Sequence, residues 1–479
     1  MSEFRRQHPI AAVTQLFLVL RQNIVPIAIF LFVGSRNSGD FFWLILLFGL
    51  ISTFILGGVS WYRFTFRVFE DELQIKKGIF VRKKLYLKKD RIQVIDITES
   101  IIQRLFGLVQ VEIKTAGGGT EKAIISALSK EEATQLRAIL RDQVDVEADA
   151  DPNDNLQNIK DVESPLIFWK LSNRDLLYAA LTSGNFGLIA SILAALSGQI
   201  DQFITEENLN YIASILPGYS KLSTILWSIL FVIILSYLVS FLGVILRYSD
   251  FKIEKKEKEL LITSGLLERK HTTVPFNRIQ AFRFVEGILR QPFGYGMLFV
   301  ESAGFEQKEN DRSIVMLPFV QKDFLRPFLD QFIGDVEVPE TIIKPPKRSL
   351  LRYIRRPNYL LLIAIPIMWI FWDFAWSLFF LIIPFSLFGW LEYKDAEIRV
   401  GTRIIQLQYR VLAKTTALVR RKRAQASDLS MNPFQKRKNL ASFHITAASG
   451  AGGKTFSVDD MDEVDAQNLL HWPLPESKL

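Results

Sequence analysis

One stretch of this chain recurs three times at fixed offsets, each time behind an apolar run of membrane grade. In the first copy Leu73, Ile75 and Gly78 lead to Arg91-Ile92-Gln93, Phe106-Gly107 and Thr115-Ala116-Gly117. Moving on by 187 residues reaches Leu260, Ile262, Gly265, Arg278-Ile279-Gln280, Phe293-Gly294 and Ser302-Ala303-Gly304 without a gap. A further 145 reaches Ile405, Leu407, Arg410, Arg423-Ala424-Gln425 and Ala447-Ala448-Ser449, an eroded third copy. A long internal repeat fixes the architecture before any single motif is read. The chain is an array of like modules on a membrane platform.

Composition agrees. Hydrophobic residues make up 49% of the 479 and charged residues 23%, a mixture that suits a membrane protein with water-exposed domains. There is no cysteine, which excludes disulfides, thiol catalysis and cysteine-based metal sites. The net charge of +8 is carried by Lys and Arg beside the apolar runs, so anionic headgroups are expected as partners and nucleic acid is not. Arg5 and Arg6 precede an apolar run without a small-residue cleavage site, which reads as an uncleaved anchor.

The apolar runs fall into three pairs. Phe41 to Trp61 is long enough to span, and its partner Ile24 to Val33 is short, with Ile10 to Leu20 ahead of it as an interfacial helix. Leu176 to Leu196 and Leu222 to Leu246 form the second pair. Tyr359 to Leu391 is too long for one untilted span. Lys347, Arg348, Arg352, Arg355 and Arg356 precede that stretch, and Lys394, Arg399 and Arg403 follow it. Basic residues on both flanks predict a hairpin turning at Asp373, with Trp369, Trp372 and Trp376 near the outer interface. The same rule applied to all pairs predicts cytoplasmic modules and termini.

Each module opens with alternating residues such as Phe64, Phe66 and Val68, turns at glycines including Gly78 and Gly265, and closes with an amphipathic helix. Ser129 and Glu132 form a capping-box pair at the first of these helices. Strands followed by one helix predict a small antiparallel barrel or sandwich plugged by that helix. The Arg-Ile-Gln motif, Gln103-Arg104-Leu105-Phe106-Gly107 and the Thr-Ala-Gly-Gly turn together resemble the second class of bacterial pleckstrin-homology-like domain. The paired spans, with His8-Pro9 near the start, are similar to the YdbT-like multi-copy membrane proteins of that family. The resemblance implies PH-like folds, membrane residence and self-association, and it implies no known reaction. Arg410 and Asn439 stand where the better copies have Gly265 and Gly294.

The expected architecture is α+β: an interfacial helix and first hairpin over 1–62, a PH-like module over 63–142, and an acidic linker over 143–165. A second hairpin follows over 166–246 and a second module over 247–335. The rest is a Pro-rich basic linker over 336–350, a third hairpin over 351–392 and a third module over 393–479.

Basic clusters supply the candidate headgroup contacts: Lys76, Lys77, Arg82, Lys83, Lys84, Lys88 and Lys89 in the first module, and Arg421, Lys422, Lys436 and Arg437 in the third. The competing reading is that lysines cover a sheet edge and satisfy topology. Arg91, Gln93 and Gly107 recur as Arg278, Gln280 and Gly294, and in part as Arg423 and Gln425, which points to a shared structural job. Ile101, Ile102, Leu105 and Phe106, echoed by Ile288, Leu289 and Phe293, have the spacing of a short core helix; a docking face is the alternative.

Ala448 to Thr455 falls one glycine short of a phosphate loop, and the strand-like Phe456-Ser457-Val458 follows it instead of a helix. The histidines at 8, 271, 444 and 471 are scattered, and no triad or carboxylate pair is recognisable. No cofactor or metal is expected. The expectation is a non-enzymatic scaffold of the cell membrane whose modules bind one another, partner proteins or anionic lipids, as a homo-oligomer or with a related membrane protein. Its biological place would be envelope homeostasis or protection against membrane-active agents. The alternative is a lipid or peptide transporter component, disfavoured by spans nearly free of ionisable residues.

Overall fold

The computed structural model describes residues 3–14, 40–79, 81–115, 123–141, 167–183, 221–302, 313–334, 337, 339–371, 373–448 and 453–473. The expected span Ile24 to Val33, the acidic linker, most of Leu176 to Leu196 and the Gly117–Gly119 turn lie outside them.

Elements of the first copy are β1 (Arg5–Arg6), α1 (Asp40–Arg63), β2 (Thr65–Phe69), β3 (Glu72–Lys77), β4 (Lys83–Lys88), β5 (Ile92–Glu99), α2 (Ile101–Leu105), β6 (Leu108–Thr115), β7 (Ala123–Ser129) and α3 (Lys130–Arg141). The second has β8 (Ile167–Lys170), α4 (Asn173–Leu181), α5 (Lys221–Tyr248), β9 (Lys252–Lys255), β10 (Glu259–Ser264), β11 (Arg269–Pro275), β12 (Ile279–Glu286), β13 (Tyr295–Ser302), β14 (Ile314–Gln321) and α6 (Lys322–Ile333). The third has β15 (Thr341–Ile343), α7 (Leu350–Phe371), α8 (Ile382–Asp395), β16 (Glu397–Val400), β17 (Ile404–Arg410), β18 (Lys414–Arg420), β19 (Ala424–Ser430), α9 (Pro433–Lys436), β20 (Leu440–Ala447), β21 (Lys454–Asp462) and α10 (Glu463–Leu470).

The chain divides into two compact units, and the division does not fall between copies of the repeat. Met1–Trp169 and Phe251–Pro275 make the first; Lys170–Asp250, Phe276–Ala303 and Gln307–Leu479 make the second. In the first unit a sheet ordered β1-β2-β3-β4 accompanies one ordered β7-β6-β5-β11-β10-β9-β8. In the second, β14-β13-β12-β18-β17-β16-β15 accompanies β19-β20-β21. Each seven-stranded sheet therefore joins the last three strands of one copy to the first strands of the next.

Alternation in sequence becomes core on one face of each strand. In the first unit Phe66, Val68, Leu73, Ile75, Leu85 and Leu87 meet Val111, Ile113 and Ile125, and Ala133, Leu136 and Leu140 of α3 close the cluster. The helix starts at its capping box, with the Glu132 amide 3.1 Å from Ser129 Oγ and the Ser129 amide 3.2 Å from Glu132 Oε2. In the second unit the core under the third copy takes in Ile398, Leu407, Phe443 and Phe456, with Ala466 and Leu469 from α10. Ala281 of β12 and Tyr353 of α7 belong to the same cluster.

Among the described residues, Leu230–Tyr248 and Trp376–Asp395 are long and apolar enough to cross a membrane. Helices α7 and α8 run antiparallel. Asn358 Nδ2 donates to Ser386 Oγ at 3.0 Å, and the Tyr353 and Tyr393 rings lie 5.7 Å apart. Gly389 permits that approach, because a Cβ there would strike the Tyr353 backbone.

The strands of each copy follow closely on an apolar helix. Only Phe64 separates α1 from β2, three residues separate α5 from β9, and Ala396 alone separates α8 from β16. The end at which each copy's first strand follows its helix in the chain is its anchor end.

Candidate membrane-facing surface

At the anchor end of the first copy, the hairpin between β3 and β4 returns to the helix, and Arg63 Nη1 donates to the Ile79 carbonyl at 2.6 Å. In the second copy Thr263, one residue from the end of β10, pairs with Lys252 at the start of β9. In the third, Gln408 Nε2 donates to the Asp395 carbonyl at 2.8 Å, and the next hairpin tip follows at 411–413. All three tips lie where a module's first strand begins. Gly78 and Gly265 make the first two turns at φ 116° and 108°, and an added Cβ would collide with the carbonyls of Val81 and Glu268.

The short segment after the fifth strand of each copy joins this end. Glu99 at the end of β5 pairs with Arg269, beside the tip of the next hairpin, and Arg104 Nη2 donates to the Leu266 carbonyl at 3.0 Å. In the second unit Arg410 Nη2 donates to Gln291 Oε1 at 2.6 Å.

Apolar side chains project here into open space. Leu105 is 80% exposed, Phe293 71%, Val411 72% and Phe434 69%. Ile101, Phe106, Val81, Leu266, Leu267, Ile288, Leu289, Leu412 and Met431 are exposed with them. The core-helix reading of Ile101 to Phe106 and its echo is thus corrected: α2 buries only Gln103. Helical spacing marks a shared face, and it does not say whether that face is turned inward.

One position pins each apolar segment to the body. Gln103 donates to the Ser126 carbonyl at 2.5 Å. Its counterpart Arg290 donates to the carbonyls of Ala179 (2.8 Å) and Pro318 (3.1 Å) and to Thr182 Oγ1 (2.9 Å), which ties the segment to the end of α4. Burial lowers the Arg290 pKa to about 10. The third counterpart, Gln435, donates to Asp460 Oδ1 at 2.9 Å, and Arg352 and Arg356 of α7 hold the same carboxylate at 2.8 Å each. Sequence reasoning quoted Gln103 only as part of a longer motif and passed over Arg290 and Gln435, whose signal was the shared repeat position.

The predicted basic residues divide between two ends. Lys77, Arg82, Lys83 and Lys84 flank the first tip, and Lys436 and Arg437 flank Phe434. Lys76 is also toward the tip, with its Nζ 3.8 Å above the Phe4 ring. Lys88 and Lys89 are at the opposite end, where Lys89 pairs with Asp71 at 3.3 Å. Arg421 and Lys422 are also at the far end, in an open cleft of about 670 Å³ lined by Glu337, Thr402, Arg403, Ile404 and Arg420 to Arg423. Glu337 fills part of that cleft, accepting from the Thr402 amide and hydroxyl (2.9 Å each) and the Arg403 amide (2.7 Å). Burial would raise its pKa, but these donors hold the carboxyl below its usual value.

The repeated Arg and Gln occupy a common backbone geometry. Lys89–Arg91, Phe276–Arg278 and Arg421–Arg423 are single 3-10 turns. Each is followed by a register shift, at Ile92/Val94, Ile279/Ala281 and Ala424/Ala426, which leaves Gln93, Gln280 and Gln425 as the extra residue. A bulge there bends the strand out of the preceding turn. Gln280 donates to the Arg278 carbonyl at 2.9 Å. The side chains of Arg91 and Gln93 lie outside the described residues. Gly107 and Gly294 take left-handed φ of 67° and 69°.

The profile described as bacterial PH domain matches residues 18–144, 198–331 and 351–476. Each match takes in a helix ahead of the strands and runs into or past the closing helix. The UPF0699 transmembrane protein YdbT of Bacillus subtilis (strain 168) is 31% identical over 494 positions, covering 98% of each chain.

Proposed function

Because the chain belongs to the bacterial PH domain family and carries that domain three times, we propose that it acts by binding at the bilayer surface, with its three modules resting on anionic lipid through their anchor ends. In this reading three helical hairpins hold the modules on the cytoplasmic side, as the basic flanks of the apolar runs favour. The chain is a non-enzymatic scaffold of the cell membrane, placed for envelope homeostasis or protection against membrane-active agents. Its partners are anionic lipids, its own modules and related membrane proteins.

The observation that carries the reading is the pairing of exposed apolar tips with adjacent lysines and arginines at the anchor end. Large apolar side chains left in water cost about 25 cal/mol per Å². Basic residues near an anionic surface contribute about 1 kcal/mol each. Together they make an interfacial foot for each module.

Absence of native cysteine makes the test direct. Single variants Leu105→Cys, Phe293→Cys and Phe434→Cys, and Thr402→Cys at the far end, carry an environment-sensitive fluorophore in full-length chain reconstituted into phosphatidylglycerol-containing liposomes. The first three labels should shift to the blue and resist an aqueous quencher, while the label at 402 should not. Equal quenching at both ends would sink the proposal.

A further inference from the structure

We propose that a second copy of this chain adds to the first head to tail, with β4 of one copy pairing with β19 of the other. The inference does not rest on contact with lipid.

The same junction exists twice within one chain. β5 pairs with β11 through Glu99↔Arg269, Thr98↔Lys270 and Ile97↔His271. β12 pairs with β18 from Glu286↔Lys414 to Ala281↔Val419. Glu99 moved on by 187 is Glu286, and Arg269 moved on by 145 is Lys414, so both junctions share one register.

One half of a third junction is present at each extremity of the array. Among the described residues, β4 is the outermost strand of β1-β2-β3-β4, and β19 the outermost of β19-β20-β21. Both edges are more open than their joined counterparts. Tyr86 on β4 is 54% exposed, whereas Thr273 at the same position of β11 is 8% exposed. Asp428 on β19 is exposed, whereas Asp96 at the same position of β5 is fully buried.

The repeat offsets also assign the register. Glu286 moved on by 145 is Met431, and Arg269 moved back by 187 is Arg82. Met431 thus faces Arg82, Ser430 faces Lys83, Leu429 faces Lys84 and Asp428 faces Leu85. No like charges meet, and Asp428 falls diagonally across from Lys83, within reach of a long side chain. Lysines on β4 discourage pairing with indiscriminate strands, and the acid on β19 suits them. A contact between two different surfaces leaves one edge of each kind free at the ends, so copies should add in series, as an open row or a closed ring.

Two differently tagged full-length chains, one Lys83→Cys and the other Ser430→Cys, are co-expressed and oxidised in native membranes. Both sites are exposed, so neither substitution disturbs a core. A disulfide-linked pair bearing both tags is expected, together with a ladder of multiples from the variant carrying both cysteines. Each single variant alone should give little, and Lys83→Cys with Ala426→Cys, four residues out of register, should give less than the matched pair. Linkage only within one chain, linkage to a different protein, or equal yields from matched and displaced pairs would each overturn the proposal.

Discussion

Asn439 shows how a repeat position survives the loss of its residue. Gly107 and Gly294 end the apolar segments of the first two copies with left-handed φ, and Asn439 takes φ 50° in the third. Asparagine tolerates that region better than other residues with a Cβ. Arg410, at the place of Gly78 and Gly265, does not adopt the left-handed conformation. It extends β17, and its guanidinium is bound to Asp395 and Gln291. The substitution in sequence was therefore a true signal of altered geometry at one glycine and a false one at the other. His271 was legible only as an isolated histidine. In the structure it sits in β11 at the first junction, with Nδ1 2.9 Å from Thr263 Oγ1. Burial lowers its pKa below 6.5, opposed by Glu99 and assisted by Arg269, Lys130 and Arg137. The unfolded chain then binds the proton more readily, so stability is complete above about pH 6.5 and falls as pH drops below it. Hydrogen exchange of the β11 and β5 amides should accelerate from about pH 7.5 to about pH 5.5, after correction for intrinsic rates. His271→Asn should abolish that excess; an unchanged pH profile in the variant would refute the assignment.

Elements were legible where one face meets a core and opaque where a turn decides. Alternation located β2, and the Ser129–Glu132 pair located the start of α3. Apolar spacing misread α2, because five residues make barely more than one turn and the apolar side of such a turn can face solvent as readily as core. The link between helix α7 and strand β21 was also hidden, since it depends on acids more than 100 residues away. Asp460 is fully buried at φ 53°, and Arg352, Arg356 and Gln435 converge on its carboxylate. Tyr353 adds a hydrogen bond to the Asp459 carbonyl at 2.5 Å. Asp460→Asn keeps the shape and removes the charge that two guanidiniums share. Breaking such a partly buried network should cost about 3 kcal/mol. The variant should melt earlier in detergent, and Asp428→Asn, on an open strand, should not. Equal melting of the two variants would mean that the network contributes little.

At the scale of the whole molecule, the offsets of 187 and 145 carried more than the motifs did. They predicted repeated modules, and they also encode the common register of the two strand junctions. What they could not disclose was that sheets run from one copy into the next, because periodicity says which side chains share a face and nothing about which strand lies alongside. The reading of self-contained modules follows naturally from sequence, yet Ala281 of the second copy is fully buried in a cluster made mostly by the third. The third copy is thus part of what keeps β12 protected. A chain ending after α6, without residues 339–479, loses the β18 partner of Ala281 through Glu286. It leaves a freshly opened edge on β12, whose Phe282 and Phe284 are buried in the intact chain, a surface prone to pair with other strands. Hydrogen exchange of this truncated protein in detergent should show β12 amides losing protection while β13, flanked on both sides by retained strands, keeps most of its own. If β12 exchanged as slowly without the third copy as with it, each module would be stable alone, and the shared sheet would be adjacency without cooperation.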